Sequence, residues 1–324
     1  MTFPKLQSFQ AAARWTDCYS AGWMARPVTR IQKYRSELHL NHATARTYSI
    51  VCLAGGAMTT RTFSSLQPGP GSGLEPSPLP PARWLADLRH RVGKCIMFGC
   101  STAQVSEAAM VARALATEWR RLIAGSEGYL TGERRGLEGQ KVVWGEMDSF
   151  AHVNNVVYAR YAESSRVNWV NHIALHVDAA HSDQWLGLMQ AQTVGLIMKS
   201  LTTEFKFPMT FPDAISVYHR LRVSPEANPK STSLLLDCLV LSHSHKRIAA
   251  RVYEDVSFYD YRTASKTQMP EFMREVLTDL WQQQLHEATL ARIRIWELVA
   301  AVERLEKQTW DREEAVEDIG SVGT

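Results

Sequence analysis

The second half of the chain carries an alternation of apolar and polar residues that predicts four β-strands. It is clearest in residues 213–223 (DAISVYHRLRV), where Ile215, Val217, His219, Leu221 and Val223 fall on one side. Three further runs have the same character: residues 194–207, 231–242 and 246–261. Turn-forming stretches such as SPEANP and SHSH separate these runs, and connections this short join antiparallel neighbours.

A strand and a long helix precede these four strands. Residues 141–147 (KVVWGEM) are rich in β-branched and aromatic side chains and predict a short strand. Residues 152 to about 172 contain no glycine or proline and predict a helix of about six turns, which Asp148 and Ser149 are placed to cap. A sheet that must bury one face against a single long helix is expected to wrap that helix. The predicted fold is therefore α+β: a long central helix wrapped by an antiparallel sheet of about five strands.

Helices are also predicted before and after this unit. A short amphipathic pattern covers residues 84–92, and Ser101 with Gln104 forms a capping box for a helix that Gly125 would end. The glycine-rich residues 125–140 lack the pattern of a phosphate-binding loop, so we interpret them as a connection.

The C-terminal helix is predicted to begin at Pro270. Its apolar residues repeat at coiled-coil spacing: Ala288, Ala291, Ile295, Leu298, Val302 and Leu305. Three heptads are short for a coiled coil, so we expect the helix to pack on its own domain. Pairing with a partner helix is the alternative.

Composition restricts the function classes. The net charge of +3 is too small to indicate nucleic-acid binding, and 45% hydrophobic residues are enough for a core. The five cysteines are scattered, which argues against a disulfide framework and against a metal site. The longest apolar stretch, residues 48–58, is about half the roughly 20 residues that a membrane-spanning helix requires.

The first eighty residues have a different composition from the rest. They contain eight Lys or Arg and three acidic residues, with abundant Ser, Thr and Ala, which is typical of a mitochondrial presequence. A disordered basic tail without a targeting role is the alternative. Residues 67–81 (QPGPGSGLEPSPLPP) predict a linker. The predicted division is a presequence and linker (1–80), a helical extension (81–139), the central domain (140–268) and a C-terminal helical extension (269–324).

The segment 144–166 (WGEMDSFAHVNNVVYARYAESSR) resembles the signature of the hotdog-fold thioesterases that act on acyl-CoA or acyl-carrier thioesters, including the 4-hydroxybenzoyl-CoA thioesterase type. An acid-x-Asp pair follows the strand end, and HVNN…Y…Y…E follows on the helix. The matching residues are Trp144, Glu146, Asp148, His152, Val153, Asn154, Asn155, Tyr158, Tyr161 and Glu163. The resemblance covers roughly residues 142–261 and implies a hotdog fold.

The resemblance implies hydrolysis of an acyl thioester without a cofactor. Asp148 would be the nucleophile or the base that activates water, and His152 would orient or activate the water. Asn155 would bind the acyl carbonyl or the water, while backbone N–H groups at Phe150 and Ala151 would stabilise the oxyanion. Each residue also has a structural interpretation, with Asp148 as a helix cap and His152 as a core or capping histidine.

Other residues of the motif are expected to be structural. Asn154 would satisfy backbone groups, and Glu146 would hold the site by hydrogen bonds. Glu163 lies eleven residues after His152, roughly 16 Å along a helix. We therefore expect it to be structural and to pair with Arg160 or Arg166; reaching a site across a dimer interface is the alternative.

The resemblance also implies a homodimer or higher oligomer with sites at its interface. Four basic residues are candidates for contacts with CoA phosphates or are simply solvated: Lys199, Lys206, Arg220 and Arg222. Phe150 stands where acyl-carrier thioesterases often carry Asn, a departure that weighs against efficient hydrolysis. The first alternative is therefore an inactive hotdog protein serving as a mitochondrial scaffold. A hydratase or dehydratase ranks lower, because its Asp-x-Asn-Pro-x-His spacing is absent.

Overall fold

The computed structural model describes residues 77–132 and 134–316. The predicted presequence and most of the predicted linker, residues 1–76, lie outside this part of the chain. The helices are α1 (Trp84–Met97), α2 (Thr102–Thr117), α3 (Trp119–Gly125), α4 (Asn155–His172), α5 (Ser182–Gly187) and α6 (Glu271–Gln308). The strands are β1 (Gly136–Val142), β2 (Val194–Phe205), β3 (Asp213–Leu221), β4 (Ser233–Ser242), β5 (Arg247–Asp260) and the short β6 (Ser265–Lys266).

The five long strands form one antiparallel sheet in the order β1-β3-β4-β5-β2, and β6 pairs with the end of β5. Helix α4 packs along one face of this sheet, where Val157, Tyr158 and Ala162 meet Val217 and Val240. The predicted arrangement of a central helix wrapped by about five antiparallel strands is confirmed.

The other face of the sheet is also covered. Residues Tyr218, Leu239 and Leu241 point away from α4 and share a core with α1, α2, α3 and the second half of α6. Strand β3 is buried along nearly its whole length for this reason, since successive side chains enter two different cores. The helical extensions therefore form a third layer on the sheet.

The C-terminal helix α6 begins directly after Pro270, as predicted. The heptad residues Ala291, Ile295, Leu298, Val302 and Leu305 are buried against α1–α3. The expectation that this helix packs on its own domain is confirmed. The capping box of α2 is also present, with the Ser101 N–H donating to Gln104 Oε1 at 2.7 Å.

The first strand was predicted too late in the chain. Strand β1 occupies Gly136–Val142, so its first five residues lie in the predicted connection, and Trp144–Glu146 forms a 3₁₀ turn. At Gly136 a Cβ would meet the Val217 carbonyl oxygen of β3, so only glycine allows this close pairing. Gly136, one of the glycines that suggested a loop, instead serves the pairing of an edge strand.

Every helix among the described residues is too short or too polar to cross a membrane.

Candidate active site

A tight turn between the 3₁₀ turn and α4 holds the predicted catalytic residues. The Asp148 N–H donates to the His152 carbonyl at 2.8 Å, and the Ala151 N–H donates to the Asp148 carbonyl at 3.0 Å. Met147 and Val153 form a bridge that closes the base of the turn, and the Val153 N–H donates to the Met209 carbonyl at 2.8 Å. The structure therefore brings Asp148 and His152 to the two ends of one hydrogen-bonded loop.

Some backbone N–H groups of this turn already donate hydrogen bonds within it, and others do not. The Phe150 N–H donates to Asp148 Oδ1 at 2.9 Å, and the Ala151 N–H is held by the Asp148 carbonyl. Both predicted oxyanion donors are thus engaged within the turn. Within residues 134–316, the N–H groups of Ser149 and His152 have no hydrogen-bond partner, and neither does Asp148 Oδ2. These groups are the ones available to a substrate.

Helix α4 starts three residues later than predicted. Asn154 is its N-cap, with its Oδ1 accepting from the Val156 N–H at 3.1 Å, so the prediction that Asp148 and Ser149 cap the helix is wrong. The expectation that Asn154 satisfies backbone groups is confirmed. Asn155 is the first helical residue, and its side chain is exposed, beside the turn.

Glu146 fixes the turn to α4. Its buried carboxylate accepts from the Tyr161 hydroxyl at 2.6 Å and from the Val143 N–H at 3.0 Å, and lies 3.3 Å from the Arg160 guanidinium. Burial and the hydrogen bond to Glu146 raise the pKa of Tyr161, which therefore remains a proton donor. The Glu146 carbonyl also accepts from the Asn154 N–H at 2.9 Å. The structural role expected of Glu146 is confirmed.

Large apolar side chains surround the turn on its outer side. Trp144 and Phe150 are 76% and 79% exposed, so their rings project almost wholly out of the chain. Val143, Val156 and Phe211 are also exposed. A cluster of exposed apolar side chains of this kind is typical of an interaction surface.

A buried polar cluster connects α4 to the sheet farther along the helix. Arg166 Nη1 donates to Glu254 Oε1 at 2.6 Å, and Ser165 Oγ lies 3.0 Å from His219 Nδ1. His219 Nε2 lies 3.3 Å from Glu254 Oε2, without the alignment of a hydrogen bond. Burial alone would raise the pKa of Glu254, but His219 and Arg166 outweigh it and hold the pKa below its ordinary value.

Ser165, His219 and Glu254 follow one another in space as in a serine–histidine–acid triad, but a substrate cannot reach them. Ser165, His219 and Glu254 are each at most 1% exposed, and the Ser165 hydroxyl donates to the Val217 carbonyl at 2.9 Å. No substrate reaches these atoms, so the cluster is structural. Sequence reasoning missed it, although a Glu in the middle of the apolar strand β5 was a signal.

The basic residues considered for CoA phosphates are each bound to a carboxylate. Lys199 pairs with Asp255 at 2.5 Å and Lys206 with Glu204 at 2.8 Å. Arg220 and Arg222 both pair with Asp237, at 2.9 and 2.6 Å. All four cations are therefore at least partly neutralised.

The pairing expected for Glu163 is wrong. Arg160 pairs with Glu146, and Arg166 pairs with Glu254, so both candidate partners hold other carboxylates. Glu163 is exposed on α4 and has no ion pair within the described part of the chain. No group of three or more His, Cys, Asp or Glu able to hold a metal occurs among residues 77–132 and 134–316.

Residues 142–277 match the family model of the thioesterase-like superfamily. This match includes the turn, α4 and strands β2–β6, and it confirms the resemblance carried by residues 144–166. The hotdog arrangement predicted from that resemblance is the one observed. A search of curated proteins found no match.

Parts of the chain are also similar to solved structures. A thioesterase of Thermus thermophilus, solved with coenzyme A and Zn, is 19% identical over 45% of this chain and 93% of its own, with a TM-score of 0.35. The probable thioesterase YbaW of Escherichia coli is 17% identical over 44% of this chain and 96% of its own, with a TM-score of 0.35. A putative thioesterase of Pseudomonas aeruginosa is 19% identical over 44% of this chain and 98% of its own, with a TM-score of 0.34.

Proposed function

We propose that this chain, whose residues 142–277 match the thioesterase-like superfamily, hydrolyses an acyl-CoA or acyl-carrier thioester to a free acid and a thiol. The observation that carries the proposal is the turn of residues 147–153. Within the described part of the chain, a carboxylate oxygen of Asp148 in this turn has no hydrogen-bond partner, and neither do the backbone N–H groups of Ser149 and His152 beside it. Thioester hydrolysis needs this combination, because a water must be activated while the negative charge on the carbonyl oxygen is stabilised.

Asp148 takes the part of the nucleophile or of the base that removes a proton from water. Its Oδ1 is held by the Phe150 N–H, which fixes the carboxylate and leaves Oδ2 for the reaction. The N–H of His152 or Ser149 then stabilises the oxyanion, in place of the engaged donors of Phe150 and Ala151. Losing one donor of this kind costs about 3 kcal/mol of transition-state stabilisation in comparable sites.

The active unit is proposed to be a homodimer. Trp144 and Phe150 project from the turn, and burying two such rings against a second copy would remove apolar surface from water and enclose the site. The mass of the purified chain in sedimentation or light scattering tests this. If the wild-type chain has the mass of a monomer at micromolar concentration, the dimer is wrong, but the role proposed for Asp148 is unaffected.

The decisive experiment measures thiol release by the purified full chain from acyl-CoAs and from acyl-carrier-protein thioesters of graded chain length. Hydrolysis is expected, and Asp148→Asn should lower kcat at least about 100-fold, because it removes the base or nucleophile. Asp87→Asn, an exposed carboxylate on α1, is the matched control and should leave the rate unchanged.

Two outcomes would contradict the proposal. If neither acyl-CoAs nor acyl-carrier thioesters are hydrolysed, the inactive scaffold is favoured, and Phe150 at the expected Asn position is the observation that supports it. If Asp148→Asn hydrolyses at the wild-type rate, the reacting carboxylate lies elsewhere.

A mitochondrial location is part of the proposal and rests on the composition of residues 1–80. A fluorescent protein fused after residue 80 should enter mitochondria. A fusion that stays in the cytosol shows that this segment is not a presequence.

A further inference from the structure

A cavity of about 830 Å³ lies between the helical layer and the end of the sheet. One wall is residues 79–86 with Ile123, and the facing wall is Lys206, residues 245–248 and Arg251. Sites for small molecules usually measure about 300–1,000 Å³, so the cavity has the size of a ligand site. None of its lining residues belongs to the turn of residues 147–153, so it is separate from the candidate active site.

The facing wall carries more positive than negative charge. Arg251 is bound at 2.6 Å to each oxygen of Glu127, and Lys206 pairs with Glu204 outside the cavity. Lys246 and Arg247 have no carboxylate within 4.0 Å in the described part of the chain. Two uncompensated cations thus lie side by side at the rim.

Arg247 is held in a position suited to an anion. Its guanidinium lies 4.0 Å from the centre of the Phe207 ring, and the same ring lies 4.7 Å from the ring of His245. Stacking occupies the flat face of a guanidinium and leaves its N–H edge for hydrogen bonds. That edge bonds to no described residue. His245 itself faces Ser242 Oγ at 3.1 Å and Asp213 at 4.0 Å.

Apart from Arg83, which lies 3.9 Å from Asp87, the opposite wall is apolar. Leu79 is 59% exposed beside Pro80 and Pro81, and the buried Trp84 and Leu85 form the surface behind them. An anion alone would leave this wall in contact with water. A ligand with a charged end and an apolar or aromatic body would contact both walls.

We propose that this cavity binds a small phosphate ester. The phosphate lies against Lys246 and Arg247, and the uncharged body of the ester packs on Leu79, Pro81 and Trp84. A phosphate monoester carries about −1.5 to −2 charges at pH 7, which matches two uncompensated cations better than a carboxylate does. The proposal is independent of thioester hydrolysis, because it uses none of the residues of that site.

The test is calorimetric titration of the full chain at low ionic strength with octyl phosphate, AMP, inorganic phosphate and octanoate. At least one of the two phosphate esters should bind about tenfold more tightly than inorganic phosphate, and octanoate should bind more weakly than octyl phosphate. Tighter binding of octyl phosphate identifies an alkyl body, and tighter binding of AMP identifies a nucleoside body. Asp148→Asn should bind the ester as the wild type does, which separates this site from the proposed active site.

Variants of each wall locate the binding. The double variant Lys246→Gln/Arg247→Gln should weaken binding of the ester about 100-fold, since each charge-assisted contact contributes about tenfold to the affinity. The control double variant Arg89→Gln/Lys230→Gln removes the same charge from exposed positions outside the cavity and should change the affinity for the ester little. Leu79→Ser should weaken binding of the ester and leave the affinity for inorganic phosphate unchanged.

Three results overturn the proposal: no binding of either ester at millimolar concentration, equal affinity for esters and inorganic phosphate, or undiminished binding by the Lys246/Arg247 double variant. All the substituted side chains are at least partly exposed, so the variants should fold, and circular dichroism checks this.

Discussion

The ion pair between Arg166 on α4 and Glu254 on β5 should contribute far more to stability than a surface pair. Glu254 is fully buried and the Arg166 side chain is only 12% exposed, with 2.6 Å between the bonded atoms. Removing one partner leaves the other charge largely out of water, which typically costs about 3–5 kcal/mol. Glu254→Gln retains a neutral acceptor, so we expect a loss of about 3 kcal/mol. Arg166→Met should cost about the same, because it leaves the Glu254 carboxylate beside His219 alone.

The double variant should lose little more than either single variant, because it removes both charges together. The expected coupling is therefore about 3 kcal/mol in a double-mutant cycle, measured by urea unfolding followed by circular dichroism. Arg121 and Glu287, a more exposed pair at 2.9 Å, provide the control cycle, for which a coupling below about 1 kcal/mol is expected. If the costs of the Arg166 and Glu254 substitutions add within about 0.5 kcal/mol, the buried pair does not hold α4 to the sheet.

Three further substitutions test other features of the structure. Ala151 has a left-handed φ of 60° in the turn of residues 147–153, so Ala151→Gly should raise the free energy of unfolding by about 0.5–1 kcal/mol; a decrease would contradict strain there. Gln284 on α6 bonds both the N–H and the carbonyl of Leu221, at 2.9 and 3.2 Å, so Gln284→Leu should cost about 2–4 kcal/mol while its exposed neighbour Gln283→Leu costs under about 0.5. Burial and nearby arginines lower the pKa of His172 to about 4, so the unfolded chain binds its proton first and stability falls as the pH drops from about 6.5 to 4. After allowance for solvent exposure this loss is about 1–2 kcal/mol, and it should be smaller in His172→Gln when urea unfolding is compared at pH 7 and pH 4.5.

The hydrophobic pattern and the capping residues were sufficient to predict elements such as β3, α2 and α6, because these signals are local. The alternation in residues 213–223 predicted β3, and the capping box at Ser101 predicted the start of α2. Helix α6 was predicted with its starting residue, and its predicted heptad positions from Ala291 to Leu305 are buried, since a period of three to four residues can be recognised without the rest of the fold.

The errors occurred where a partner distant in sequence decides the conformation. Gly136 pairs with Tyr218 of β3, a residue 82 positions later, and only that pairing makes a strand of a glycine-rich segment. The start of α4 moved from residue 152 to Asn155 because the Val153 N–H is taken by the Met209 carbonyl of a distant loop.

The sequence by itself determined the fold class, the succession of a strand, a helix and four strands along the chain, and the location of the candidate site in residues 144–155. Only the tertiary structure decided which groups of that site are available. Phe150 and Ala151 use their N–H groups inside the turn, while those of Ser149 and His152 bond to no residue that the structure describes. It also decided that the arginines near Glu163 pair with Glu146 and Glu254, and that both faces of the sheet are buried. The physical reason is that a side-chain pattern specifies local backbone conformation, whereas hydrogen-bond partners, ion pairs and burial depend on which distant segments the packed core brings together.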